Sequence, residues 1–268
     1  MSSQPNLLHE YEKLLRQFGP QGWWPVYRLE GRAVRREVTH NPISRLRPQT
    51  PDLMRCPCPK RLTESDRFQI CVGAILTQNT AWTNVEKVFE RFQQFSPPLA
   101  GRGSDLSFRS SRRAKEERGR VLWTPRTIAS LRHHHLAQLI RPAGYFNQKA
   151  RKLRIFSRWL LDRYDGSLAQ FFRQPTDVCR AELLSLWGIG PETADSMLLY
   201  AGRHPVFVID AYTKRWLVAQ KLSNTKCWTY DECRRFFMDR LPHNTQLFNE
   251  FHALLVVWGK EHGPSPSF

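Results

Sequence analysis

The sequence predicts an all-α fold. Apolar residues recur at helical spacing in one segment after another, and strand patterns are scarce. The best strand candidate, Pro205-Val206-Phe207-Val208-Ile209, is short. With 268 residues, 41% of them hydrophobic and nine Trp and sixteen Phe among them, the chain can bury a sizeable core. That length suits one large domain or two closely packed halves.

Leu7, Leu8, Tyr11, Leu14, Leu15 and Phe18 mark the apolar face of a first helix. Gly19-Pro20-Gln21-Gly22 then turns the chain into Trp23-Trp24-Pro25. Residues 32–60 are basic, Pro-containing and poorly periodic, and read as an extended connection. Residues 63–95 are strongly helical, opening on Thr63-Glu64-Ser65-Asp66 as a cap and breaking before Pro97-Pro98. Residues 101–120 hold Gly, Ser and many Arg with few apolar side chains, and read as a mobile loop or insertion. Helices are expected over 127–140, 147–164 and 168–172, as a pair flanking 187–191, and over 211–222, 230–241 and 245–258. No internal repeat is evident.

Lys and Arg (41) outnumber Asp and Glu (24), for a net charge of +17. Such an excess selects polyanionic partners, because each neutralised phosphate releases condensed counterions. Charge alone would equally suit a ribosomal protein or an anionic membrane surface. No apolar run approaches the ~18–20 residues of a membrane-spanning helix. The opening Met1-Ser2-Ser3-Gln4-Pro5-Asn6 lacks the pattern of a secretory signal. A cytoplasmic, reducing compartment is therefore expected, with the six cysteines as thiols. No CxxC occurs, and Cys56-Pro-Cys58 is too tight and too isolated for a zinc site, so no metal is expected.

The informative stretch runs from Leu183 to Ala201, with Leu186-Trp187-Gly188-Ile189-Gly190-Pro191-Glu192-Thr193-Ala194 at its centre. Two glycines two apart, between apolar helical patterns, permit a sharp turn and close backbone approach. Pro191 sits where a helix would begin, since its missing N–H costs nothing there. Backbone amides at such a turn can face a phosphate. A bare Gly-x-Gly is usually an ordinary turn, and its neighbours decide the reading here. Nine residues beyond Ala201 stands Asp210, in Val208-Ile209-Asp210-Ala211-Tyr212-Thr213-Lys214-Arg215. It suits an N-cap for the next helix, and equally a catalytic carboxylate, which must also be held fixed.

Together these segments resemble the endonuclease III branch of the helix-hairpin-helix DNA glycosylases. Its pattern, Leu-x-Gly-Val/Ile-Gly-x-x-Thr-Ala followed by Val-Asp-Thr/Ala-x-x-x-Arg, is similar to residues 186–194 and 209–215. The likeness extends to Ile75-Leu76-Thr77-Gln78-Asn79-Thr80 and Gly144-Tyr145-Phe146-Asn147-Gln148-Lys149-Ala150, and covers roughly residues 63–260. It implies a two-lobed helix-hairpin-helix fold. One lobe would run over 63–202, holding the hairpin at 183–201, and the other would join 1–62 to 203–268. Damaged duplex DNA would lie in the cleft between them, bound by a monomeric enzyme with Asp210 at the junction. Gln78 is favoured, with Asn79 as the alternative, to fill the void left by an extruded base; a polar pair merely capping backbone groups is the plainer reading. Trp187, Gly188, Ile189, Gly190, Thr193, Lys149 and Lys214 are the other expected DNA contacts.

Two departures choose the chemistry. Bifunctional members carry a lysine where this chain has Glu192, and a carboxylate cannot form the Schiff base that permits strand cleavage. Hydrolysis of the glycosidic bond alone is therefore expected. Asp210 would orient or deprotonate water, or stabilise the cationic sugar. Lys214 and Lys149 are conceivable substitute nucleophiles, although solvated or phosphate-facing lysines are commoner. Many relatives also hold a [4Fe–4S] cluster on four cysteines near the C-terminus. This chain has no Cys after Cys233, so no cluster is expected.

The tandem Trp23-Trp24-Pro25, Glu192, and the late Lys260-Glu261-His262 resemble the 3-methyladenine glycosylases of the endonuclease III type. That likeness puts Trp23, Trp24, Pro25, Glu192 and Lys260 around an aromatic pocket for a cationic alkylpurine. Core packing is the alternative role for the tryptophans. A bifunctional glycosylase/lyase using another lysine, and a non-catalytic protein keeping the hairpin for phosphate contact, are the rival readings.

Overall fold

The computed structural model describes residues 6–22, 61–94, 124–222 and 228–263. Trp23, Trp24 and Pro25, like the expected insertion at 101–120, lie outside the described residues. Among the described residues every regular element is helical and there is no strand.

In chain order the helices are α1 (Leu7–Phe18), α2 (Glu64–Leu76), α3 (Trp82–Gln94), α4 (Pro125–Ser130), α5 (His133–Leu139), α6 (Phe146–Tyr164), α7 (Leu168–Phe171), α8 (Thr176–Ser185), α9 (Pro191–Ser196), α10 (Ala211–Ala219), α11 (Tyr230–Met238) and α12 (Thr245–Glu261). A 3₁₀ turn, Arg141–Ala143, precedes α6, and a π turn, Met197–Gly202, extends α9. No described helix is long and apolar enough to cross a membrane.

Local chemistry sets the boundaries. Asn6 caps α1 by accepting the His9 amide, and Gly19 ends it in the left-handed region at φ +71°. The helical stretch expected over 63–95 is interrupted: Thr77 Oγ1 donates to the Gly73 carbonyl at 2.6 Å, and Asn79 turns left-handed at φ +51°. The stretch at 127–140 also divides, because Leu131 and Arg132 adopt extended backbone between α4 and α5. The strand candidate at 205–209 is a single extended segment that pairs with no strand.

The chain forms two compact units. One spans Val72–Ser167; the other joins Met1–Cys71 to Leu168–Phe268. This grouping puts the hairpin with both termini. The reason is packing: α9 runs into the π turn, which contacts α12, and α12 also packs on α1 and α10.

In the Val72–Ser167 unit, Val85, Val88, Phe89 and Phe92 of α3, and Leu153, Phe156 and Leu160 of α6, are buried. Trp82 lies against Gly73, where an added Cβ would meet the indole at 3.2 Å. The other unit is built around aromatics. Phe207 from the extended segment stacks on Phe237 of α11 at 4.0 Å between centroids, and meets Phe248 and Phe251 of α12 edge-on. Tyr11 of α1 reaches the same Phe251 at 5.5 Å. Truncating a ring in such a cluster costs about 3–5 kcal/mol. The apolar run before Asp210 thus anchors it: Val206, Phe207, Val208 and Ile209 are all buried.

Candidate active site

The hairpin is α8, a turn through Leu186–Gly190, and α9. Its two glycines do different work. Gly188 adopts φ +85°, which disfavours any side chain, whereas a Cβ on Gly190 would meet nothing within 4 Å. Gly190 therefore leaves open space in front of the first residue of α9, Pro191. Trp187 is exposed beside it, while Ile189 and Thr193 turn inward. The two hairpin helices are cross-tied: Arg180 Nε donates to Asp195 Oδ1 at 2.8 Å, and Arg234 of α11 approaches Oδ2 at 3.4 Å. Arg180 Nη2 also donates to Asp231 at 2.8 Å.

Asp210 is the N-cap of α10, its Oδ1 accepting the Thr213 amide at 2.7 Å. The capping role and a fixed carboxylate thus coincide. Its other oxygen, Oδ2, faces His252 Nε2 at 3.4 Å, and His252 Nδ1 pairs with the Tyr200 hydroxyl at 2.6 Å. Burial opposes ionisation of Asp210, but the attraction of His252 and the contacts with Thr213 outweigh it and hold the carboxyl below its ordinary range. From the preceding residue, the Ile209 amide donates to Tyr230 Oη at 3.4 Å.

Glu192, in the first turn of α9, feels the charge of Asp210. Desolvation first, and Asp210 second, push its carboxyl up to about 7, against the opposing pull of His252 and Lys214. Glu192 keeps an exposed flank, so water screens part of this effect. Glu192, Asp210, Lys214 and His252 therefore share one electrostatic neighbourhood. The sequence pointed to the first three. His252 and Tyr200 were not foreseen, because they lie 42 residues after Asp210 and 10 before it with no motif linking them; an apolar helix interrupted by a buried His was the one available signal.

The other expected residues are placed by their own elements. Lys260 is exposed in the last turn of α12. The turn leading to Trp23 is held by α12, where Glu250 accepts the amides of Gln21 and, at 3.1 Å, Gly22. Gln78, Asn79 and Lys149 belong to the Val72–Ser167 unit. Gln78 accepts from Lys152 Nζ at 2.6 Å, and Asn79 is exposed. Lys149 departs from its expected role as a DNA contact. It is 2% exposed, and its ammonium donates to the carbonyls of Leu76 at 3.0 Å and Ala143 at 2.6 Å. Burial, and secondarily Lys152, lower it to about 8. A buried ammonium with two of its three N–H groups on backbone carbonyls is not presented to a phosphate. It instead ties the backbone before Gln78-Asn79 to the backbone before Gly144-Tyr145.

The described cysteines Cys71, Cys179 and Cys233 are separately buried, and no three potential metal-ligating side chains converge among the described residues. These three separate thiols do not fit a four-thiolate cluster.

Comparison with known proteins agrees with this geometry. Residues 72–243 match the profile of the HhH-GPD superfamily base excision DNA repair proteins. A protein of Methanocaldococcus jannaschii named as a DNA repair glycosylase is 32% identical over 92% of this chain and 83% of its own length. Endonuclease III of Thermotoga maritima is 25% identical over 75% of this chain and 77% of its own. The structure of an H. pylori 3-methyladenine DNA glycosylase bound to 1,N6-ethenoadenine superposes with a TM-score of 0.56 at 28% identity, covering 78% of this chain and 89% of that one. An endonuclease III–DNA complex shares the fold, with a TM-score of 0.56 at 21% identity. The chain belongs to the HhH-GPD superfamily of base excision DNA repair glycosylases.

Proposed function

We propose that this glycosylase is monofunctional and releases alkylated purines such as 3-methyladenine from duplex DNA. The observation that carries this reading is the pairing of Glu192 with Asp210. The hairpin position that holds an imine-forming lysine in bifunctional relatives is a carboxylate coupled to a second, ionised carboxylate. Such a site has no amine at that position to attack C1′. Two anionic groups favour a different course: cleavage of the C1′–N bond with positive charge building on the sugar. Water then adds its oxygen to C1′ and passes a proton to Asp210, and the base departs with the bonding pair.

A cationic alkylpurine leaves readily, so the pocket needs little more than aromatic faces and a carboxylate. Likeness to the H. pylori 3-methyladenine glycosylase supports this substrate class. DNA is the expected partner, consistent with the +17 charge, and a monomer is the expected form. Lys214 favours a second reading: it acts on Glu192 in the same neighbourhood and supplies an amine for a bifunctional enzyme.

A screen of duplexes carrying alkylated, oxidised or deaminated bases, read out as free base released, tests the proposal. Release of 3-methyladenine is expected, with strands intact until alkali treatment and no borohydride-trapped complex. A folded Asp210→Asn variant should bind DNA and release almost no base. Release of oxidised pyrimidines only, or a trapped covalent complex, would overturn the substrate or the monofunctional part respectively.

A further inference from the structure

Asp210 is backed by two side chains from separate elements of its own unit. Tyr200 comes from the π turn and His252 from α12, and both are buried. The three form a line from the interior outward: Tyr200 Oη to His252 Nδ1 at 2.6 Å, then His252 Nε2 to Asp210 Oδ2 at 3.4 Å. Only Asp210, at 15% side-chain exposure, reaches the surface. A π turn is rare in helices and occurs frequently at functional sites.

Chemistry gives the line a direction. Burial and the nearby Asp210 charge raise the Tyr200 phenol well above its ordinary range, so it keeps its proton. A protonated phenol at 2.6 Å can donate to an unprotonated Nδ1. When neutral, an imidazole that accepts at Nδ1 carries its proton on Nε2, the nitrogen that faces Asp210; when protonated at both nitrogens it adds the charge whose attraction lowers Asp210. The Thr213 amide then donates to Oδ1, while the imidazole Nε2–H faces Oδ2 at 3.4 Å without closing a hydrogen bond. The Asp210 charge raises Glu192 of α9, and His252 and Lys214 of α10 oppose that rise.

We infer that Tyr200 and His252 are positioning residues for Asp210: the phenol selects the imidazole tautomer, and the imidazole N–H turned toward the carboxylate favours its ionised form. The inference rests on Asp210 as the reacting carboxylate. It assigns roles to two residues that touch no substrate, and Tyr200 acts only through His252.

Two measurements on the full chain test it. Nitrogen-15 NMR of the unliganded protein should show His252 protonated at Nε2, and Tyr200→Phe should abolish that preference. The second is the pH profile of single-turnover base release from a 3-methyladenine duplex, read in a Glu192→Gln background so that Glu192 does not set the acid limb. His252→Phe should move its acid limb upward by about one unit, which is tenfold lost at pH values on that limb. His252→Gln, which restores an N–H, should recover part of the loss. Tyr200→Phe should shift the limb in the same direction and add nothing in the His252→Phe background, whereas independent structural defects would add. If His252→Phe misfolds, the isosteric Tyr200→Phe and His252→Gln still decide the matter. An Nδ1–H tautomer in the wild type, or unmoved profiles in those two variants, would overturn the inference while an inactive Asp210→Asn leaves the catalytic reading intact. An active Asp210→Asn would instead remove Asp210 from the chemistry.

Discussion

Arg180 and Asp195 join the helix that enters the hairpin to the helix that leaves it, Nε donating to a completely buried carboxylate at 2.8 Å. Burial raises the Asp195 carboxyl despite Arg180, Arg234 and Tyr230, so this charge tolerates little loss of pairing. Arg180→Met should lower stability by about 3 kcal/mol, the low end of the range for breaking a buried pair, because Arg234 and Tyr230 remain. Urea denaturation measures this directly. Arg180→Met combined with Asp195→Leu should recover only part of the loss: the buried carboxylate is gone, but Arg234 then loses its partner.

Lys149 offers a test of its own placement. If its ammonium serves the Leu76 and Ala143 carbonyls, Lys149→Met leaves both unsatisfied and should cost about 2 kcal/mol or more. The salt dependence of nonspecific duplex binding should not change. A phosphate contact would instead reduce the slope of log K against log salt by about 0.9 on removal.

Glu192 gives the enzyme a pH signature near neutrality. Its carboxyl, raised to about 7 by burial and then by Asp210, is neutral below that pH and anionic above it. Excision of a cationic alkylpurine should therefore rise as pH passes 7, and Glu192→Gln should flatten that rise. The stability effect has the opposite sense. With the folded pKa above the unfolded one, folding binds protons between roughly 4.5 and 7, and wild-type stability from this group falls as pH climbs through that window. The melting temperature of Glu192→Gln relative to wild type should thus be higher at pH 8 than at pH 5.

The aromatic pocket is tested at Trp24, with Trp23 as the second candidate. An indole face on a cationic base contributes roughly 0.5–2 kcal/mol. Trp24→Ala should therefore slow 3-methyladenine release about tenfold, a loss near the middle of that range. Nonspecific duplex affinity, dominated by phosphate contacts, should stay nearly unchanged. Normal excision by folded variants at both positions would remove the tryptophans from recognition.

Much of the site was legible because its signals are local. Gly188 needs a left-handed backbone, Pro191 needs a helix start, and Asp210 needs an amide three residues ahead. Each of these is satisfied within a few residues of the chain. Helix boundaries were less legible. The break at Asn79 depends on Thr77 bonding back to Gly73, which periodicity does not register.

The sequence by itself determined the helical class, the hairpin, the carboxylate at 210 and the absence of lysine at 192, since these follow from residue types and short spacings. Tertiary structure alone decided that Lys149 faces inward, that the hairpin groups with both termini, and that His252 and Tyr200 stand behind Asp210. Those outcomes depend on which buried surfaces pack together. A side chain's charge and partners are set by neighbours tens of residues away, and no spacing along one helix records them.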